Sequence, residues 1–259
     1  MKIAIIGAGN MGGAIARGLA HSNMDIKIAV ADLAQDKLDE LKADCDAIEV
    51  STDGLTIVAD ADVVLVAVKP WLVEPVLKGA LTALDLSRQI VLSIAAGVDI
   101  ATITSWLDNE QAVVFRAIPN TAISIHQSMT FVSHNANATA HQVAQVEAIF
   151  NALGKAAVIE ERLMGAATSL CSCGIAFAMR YVRAATEGGV ELGIYPNDAK
   201  QYVLQTLRGA VELLEATGNN PEVEIDKVTT PGGITIKGLN AMEANGFTNA
   251  VIEGLKASK

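Results

Sequence analysis

Aromatic residues are scarce. Two Trp, three Tyr and five Phe make up 4% of a 259-residue chain that is 51% hydrophobic, so the interior is expected to be filled by aliphatic side chains and Ala. Cysteine is equally sparse. Cys45, Cys171 and Cys173 form no CxxC pair and leave one residue over in any pairing. That excludes a zinc ribbon and a disulfide framework, and it points to a reducing, cytoplasmic setting. His126, His134 and His141 stand without Cys or carboxylate partners at ligand spacing, so they read as surface residues and no metal is expected. Positive charge is short: 19 Lys and Arg against 29 Asp and Glu give a net charge of −10. This argues against a nucleic-acid surface and against anionic membranes. No uninterrupted apolar run reaches the ~18 residues of a spanning helix. Met1 to Ile6 is too short for the core of a signal peptide. No linker rich in Pro, Gly or Ser and no internal repeat is visible. The length fits two domains or one large one.

What is present begins at once. Lys2 to Ile6 is a short apolar run of the kind found in central parallel strands. It leads into Gly7-Ala8-Gly9-Asn10-Met11-Gly12, after which Met11, Ile15 and Leu19 recur at helical spacing. This is GxGxxG in its required setting of strand, tight turn and helix. The first Gly permits the turn, the second lets backbone approach a pyrophosphate, and the third lets helix pack on strand. A second strand, Ile26 to Val30, ends in Ala31-Asp32. Asp32 can accept hydrogen bonds from a ribose 2′-OH and repel a 2′-phosphate, which tilts the cofactor toward NADH over NADPH. It can equally cap a helix from Gln35 onward.

The strand–helix alternation continues. Ala34 to Leu41 reads as helix and Ala47 to Val50 as strand. Val63 to Val68 is the most apolar strand, broken by Lys69-Pro70, so Lys69 sits on the rim where open α/β sheets bind ligands. It either helps hold cofactor phosphate or is a solvated loop lysine. Gln89 to Ile94 is another strand, closed by Ala95-Ala96-Gly97, where small residues leave room for a flat ring or for close strand–helix packing. Asp99 caps a helix to Trp106. Ala112 to Ala117 is a strand ended by Ile118-Pro119-Asn120-Thr121, whose polar pair touches the ligand rim or simply makes the turn. Met129 to Ser133 and Ala156 to Ile159 flank a helix from about Thr139 to Asn151.

After Glu161 the strands stop. Gly165 to Leu192 and Asp198 to Thr217 read as long helices with broad apolar stripes, more than one small core absorbs, which predicts a subunit interface. The fold expected is therefore α/β. A doubly wound, mostly parallel Rossmann domain over 1–161 is followed by an all-α dimerisation domain over 162–259. Near the end, Val228-Thr229-Thr230-Pro231-Gly232-Gly233-Ile234-Thr235 opens a helix expected from Thr230 to Asn245, with Pro231 in its first turn and Gly246 at C′. Two glycines strip that N-terminus, leaving free N–H groups that suit a carboxylate, with the Thr235 hydroxyl one turn in. An ordinary Gly-containing loop before a core helix fits the same residues.

Taken end to end, the chain resembles pyrroline-5-carboxylate reductases. Gly7-Ala8-Gly9-Asn10-Met11-Gly12, Ala67-Val68-Lys69-Pro70, Ser93-Ile94-Ala95-Ala96-Gly97 and Arg116-Ala117-Ile118-Pro119-Asn120-Thr121 fall in that family's order, and Val228 to Glu243 matches its C-terminal motif. The resemblance implies reduction of 1-pyrroline-5-carboxylate to L-proline, the last step of proline synthesis, with NADPH or NADH. It implies that Thr235 places its hydroxyl on the imine nitrogen. Thr230, Gly232 and Gly233 would hold the carboxylate with Val228 nearby, and Asn120 would sit at the same rim. Gly7, Gly9, Asn10, Met11, Gly12, Asp32, Ala67, Val68, Lys69, Pro70, Ala95 and Ala96 would line the cofactor. It also implies a homodimer of interlocked helical domains, one subunit's cofactor facing the other's Pro-Gly-Gly loop, with dimers stacked into decamers in several members. The chain departs from the pattern at Cys171-Ser172-Cys173-Gly174-Ile175, where Ser-Gly-Ser-Gly-Pro is usual, and also at Ala122, Glu224 and Asp32.

Reducing a protonated C=N bond needs a hydride donor and fixed geometry, not a metal or a nucleophile, and no catalytic triad is visible. Two rivals stay open. A β-hydroxyacid dehydrogenase wants a general base, commonly a Lys on the first long helix, yet no Lys occurs between Lys155 and Lys200. A non-catalytic dinucleotide-sensing module has no need of Thr235 or the paired glycines.

Overall fold

The computed structural model describes residues 1–259 and divides them into two compact units, Met1–Ser172 and Cys173–Lys259. In the first, strands and helices alternate: β1 (Lys2–Ile6), α1 (Asn10–Ala20), β2 (Lys27–Ala31), α2 (Gln35–Asp44), β3 (Glu49–Ser51), α3 (Gly54–Val58), β4 (Val63–Val66), α4 (Pro70–Ala80), β5 (Ile90–Ser93), α5 (Ile100–Leu107), β6 (Val113–Ile118), β7 (Ser128–His134), α6 (Ala140–Asn151) and β8 (Gly154–Val158). The sheet order is β3-β2-β1-β4-β5-β6-β7-β8, and every neighbouring pair is parallel except β6–β7. Strand order reverses between β1 and β4, so a crevice opens beyond their carboxyl ends, where ligands bind in sheets of this kind.

Alternation along the strands feeds apolar clusters on both faces of the sheet. Ile3 and Ile5 point to one face and pack with Ile15 and Leu19 of α1, Leu38 and Leu41 of α2, and Phe150 of α6. Ala4, Ala29 and Val64 point to the other and meet Ile57 and Val58 of α3. Each fully buried Leu, Ile or Phe contributes about 1.5–3 kcal/mol. The elements expected over the first domain recur within a few residues of their bounds. The short α3 and the longer α4 were not expected. Pro70 does more than break a strand, because it stands at the first position of α4, where its missing N–H costs nothing.

The first compact unit runs through Ser172, because the segment after Glu161 packs back onto the sheet domain. Met164, Ala167 and Ser169 are buried, and Glu161 is a hub. One of its oxygens accepts from Arg116 Nη1 at 3.0 Å and from the N–H of Ile100 at 3.2 Å; the other accepts from Ser133 Oγ. Arg116 is buried on β6, so Glu161→Ala strands its charge. The expected loss is about 3 kcal/mol, measured by urea unfolding. Glu161→Gln, which keeps the size and one acceptor oxygen, loses less.

In the second unit helices take over as expected: α8 (Gly174–Glu191), α9 (Pro196–Thr217), α10 (Pro221–Val228), α11 (Ile234–Ala244) and α12 (Phe247–Ala257), preceded in the first unit by the single turn α7 (Met164–Ala167). Ala199 is its one buried hydrophobic residue; Met179, Tyr202, Val211 and Ile252 lie exposed. The helical stretch Glu161–Glu191 is continuous through a π turn at Thr168–Cys173. By length and composition this stretch could cross a membrane. This does not conflict with the absence of a long apolar run, since a mean over a long helix tolerates the polar residues that break such runs.

Candidate functional site: a dinucleotide cleft and a bare helix start

A cleft of about 1320 Å³ opens at the strand-order reversal of the first unit. Gly7, Gly9, Asn10, Met11, Asp32, Ala67, Val68, Lys69, Pro70, Ala95 and Ala96 all line it, which gathers the expected cofactor set with the exception of Gly12. The three glycines differ in what requires them. Gly7 has φ +111, a conformation that favours glycine, and a Cβ there would lie 2.6 Å from the carbonyl oxygen of Ala67. A Cβ on Gly12 would overlap the carbonyl oxygen of Gly7, so Gly12 is a packing residue behind the cleft. Gly9 has φ −67, and beyond its two chain neighbours no protein atom lies within 4 Å of a Cβ position. Nothing in the fold requires Gly9 to be bare. It caps α1, which has no side-chain cap and no acidic residue in its first turn. Free N–H groups, a positive helix end and an open approach fit a pyrophosphate.

Asp32 sits at the end of β2. One of its oxygens accepts from Ala8 N at 2.7 Å and the other from Ala34 N at 2.9 Å, with Lys37 Nζ 3.7 Å away. The N-cap of α2 is Ala34, so Asp32 is not that cap; it ties the glycine loop to the turn after β2. Leu33 beside it is 94% exposed, and it lines the cleft with Lys37, Thr52 and Leu55. These were missed in the sequence, although Leu33 and Lys37 follow Asp32 closely enough to have been weighed with it.

At the other end stand Ala95, Ala96, Ile118, Pro119, Thr121, Thr168 and Ser172. Asn120 does not line the cleft. Its Oδ1 accepts from Ala122 N at 3.1 Å, capping a 3₁₀ turn at Thr121–Ile125, and its Nδ2 lies 3.5 Å from the Cys171 carbonyl. Burial pushes the Cys171 thiol up, so it stays protonated at neutral pH and behaves as a small apolar residue. No pattern in the sequence marks Thr168, because a π turn leaves no periodic signature, and Ser172 stands out only as part of the altered Cys171-Ser172-Cys173 stretch. The three cysteines are free.

In the second unit, the expected helix from Thr230 starts later. Pro231 and Gly232 form a turn, Gly233 is the N-cap, and α11 begins at Ile234. The cause is Gly232, whose φ of +75 lies outside the helical region. A Cβ on Gly233 would lie 2.6 Å from Thr230 Oγ1, and Gly233 N donates to Thr230 O at 2.9 Å, so Thr230 and Gly233 close a compact loop just after Val228, the last residue of α10. No side chain caps α11 and no acidic residue occupies its first turn. Gly246 takes the expected left-handed C′ conformation, φ +78. The hydroxyls of Thr186, Thr206 and Thr217 donate to carbonyls four residues back. Thr235, in the first turn, has no helical carbonyl behind it, and its exposed hydroxyl is left free.

A family model described as pyrroline-5-carboxylate reductase dimerisation matches residues 161–259, and one described as NADP oxidoreductase coenzyme F420-dependent matches residues 2–97. The chain is 36% identical over 272 residues to pyrroline-5-carboxylate reductase 2 of Dictyostelium discoideum, covering 99% of this chain and 90% of that one. Among solved structures, a pyrroline-5-carboxylate reductase from Coxiella burnetii superposes with a TM-score of 0.91 at 29% identity, covering 99% and 95% of the two chains. The Plasmodium falciparum pyrroline carboxylate reductase with NADP bound gives 0.89 at 26% identity, covering 100% and 95%.

Proposed function

The chain belongs to the pyrroline-5-carboxylate reductase family, and from that premise we propose that it reduces 1-pyrroline-5-carboxylate to L-proline with a nicotinamide dinucleotide. The observation that carries this reading is the start of α11, an uncapped helix end preceded by Pro231-Gly232-Gly233 with one unpartnered hydroxyl in its first turn. The N–H groups at Gly233 and beyond, with Thr230 and Gly232, hold the substrate carboxylate. Val228 borders the loop, and Thr235 orients the imine nitrogen. Gly7, Gly9, Asn10 and Met11 cradle the pyrophosphate; Gly12 keeps the loop closed behind them. Ala67, Val68, Lys69 and Pro70 form the wall on the β4 side, and Ala95 and Ala96 leave room for the ring. When bound, the nicotinamide supplies the hydride. Asn120 acts by fixing the rim and not by direct contact. Positioning of this kind supplies up to about 7–11 kcal/mol in favourable cases. Comparing NADH and NADPH oxidation with pyrroline-5-carboxylate and with 3-hydroxyacids tests the reading. Turnover only with hydroxyacids, or with neither, would sink it.

We further propose a preference for NADH. The Asp32 carboxylate is charged at the point where a 2′-phosphate would arrive, Leu33 offers no cation, and Lys37 already pairs with Asp32. Asp32→Ser combined with Leu33→Arg removes the repulsion and adds one charge-assisted contact. The NADPH-to-NADH ratio of kcat/KM is expected to rise about 100-fold, since such a bond contributes ~1.5–3 kcal/mol. The ratio cancels any uniform damage from loosening Ala8. An unchanged ratio rejects the assignment.

The functional unit proposed is a homodimer in the cytoplasm, in keeping with the dimerisation match over residues 161–259 and three free cysteines. Light scattering should give twice the chain's 27.0 kDa. Dimers stacked into decamers would give a larger particle with the same minimal unit.

A further inference from the structure

Two hydroxyls in the cleft have their protons committed to the protein. Thr168 Oγ1 donates to the Met164 carbonyl at 2.7 Å, and Ser172 Oγ donates to the Pro119 carbonyl at 2.7 Å. A hydroxyl has one proton and two lone pairs, so what Thr168 and Ser172 present to the cleft is acceptor capacity alone. Both lie in the π turn at Thr168–Cys173 and both line the cleft beside Ala95, Ala96 and Pro119. In the sheet order, β1, which leads into Gly9, lies between β2, which leads into Asp32, and β5, which leads into Ala95. The lining residues Ala95, Ala96, Ile118 and Pro119 carry no side-chain donor, so a ligand group facing these oxygens satisfies them by bringing N–H or O–H donors.

We propose that Thr168 and Ser172 form an acceptor pair for the carboxamide NH₂ of the nicotinamide. That group carries two N–H donors on one nitrogen, and holding it selects one of the two orientations of an otherwise nearly symmetric ring. The inference rests on the dinucleotide reading of the cleft and adds the residues that fix the ring's rotation. The π turn is what gives it a structural basis, since an inserted residue of this kind re-aims side chains along a helix and recurs at functional sites.

Equilibrium titration of the full-length protein tests this without turnover. The probes are whichever reduced dinucleotide the protein binds tighter and its 3-acetylpyridine counterpart, which keeps the ring and the carbonyl but has no carboxamide N–H. Ser172→Ala and Thr168→Val should each weaken binding of the carboxamide dinucleotide by threefold to tenfold, as expected for one hydrogen bond. Binding of the acetylpyridine analogue should stay within twofold. Equal weakening of both probes would mean that the hydroxyls act only by bracing Pro119 and Met164, and would overturn the proposal while leaving the dinucleotide reading standing. Unchanged binding of both in the two variants overturns it as well. Failure of the unsubstituted protein to bind either probe removes the dinucleotide reading and this proposal with it.

Discussion

Gly9→Val should abolish dinucleotide binding in a protein that still folds. No atom outside Gly9 and its two chain neighbours lies within 4 Å of a Cβ there, and its φ of −67 is open to any residue. Valine there costs the fold little, yet its methyl groups occupy the approach to the first N–H groups of α1. Losing two charge-assisted hydrogen bonds to a pyrophosphate removes about 3 kcal/mol at the low end, or at least 100-fold in Kd. Gly12→Ala makes the opposite case. Its Cβ would collide with the Gly7 carbonyl oxygen, so α1 and β1 must part. That variant is expected to lose about 3 kcal/mol of stability, before any ligand is considered. Calorimetric titration beside thermal melts separates the two. A Gly9→Val protein that binds dinucleotide normally would remove the glycine loop from the site.

Thr235→Ala is expected to lower kcat about 100-fold, the scale of losing a positioned proton donor, while dinucleotide affinity measured by titration stays unchanged. The free hydroxyl is the reason. Threonines deeper in helices of this unit close onto a carbonyl four residues back, but Thr235 has only the Pro231-Gly232 turn behind it. The side chain therefore has nothing in its own chain to satisfy. Thr235→Ser keeps the hydroxyl and should recover most of the rate. Full turnover in the alanine variant would take Thr235 out of the mechanism, and loss of dinucleotide binding would show damage beyond the helix start.

How much of this could be read in advance depends on where the information lies. Lys2–Ile6 followed by Gly7-Ala8-Gly9 is local, so the strand, the turn and the helix after it were all legible. Period-two and period-3.6 patterns carried most of the remaining sheet domain for the same reason. Pro70 misled, because a proline that ends one element and a proline that starts the next look alike in sequence. Pro231 misled differently: Gly232 adopts a left-handed conformation between it and the helix, and glycine leaves that choice to the surroundings. Asp32 looked like a ligand or a cap. Its engagement with Ala8, far away in sequence, depends on how β1 and β2 lie side by side. Asn120 caps the turn at Thr121–Ile125 and is buried, and the burial of one side chain is decided by neighbours that no local pattern records. The first compact unit runs on to Ser172 while the dimerisation match begins at residue 161, and the bonds of Glu161 to Arg116, Ser133 and Ile100 that tie this segment to the sheet are contacts that no local pattern records.

The second unit has a single buried apolar side chain, Ala199, and many exposed ones. Much of the apolar surface of these five helices is left for association to cover. Where the chain self-associates, folding of that half is expected to be linked to association by mass action. For such a protein dilution acts like a denaturant, and its melting point is a property of concentration as much as of sequence.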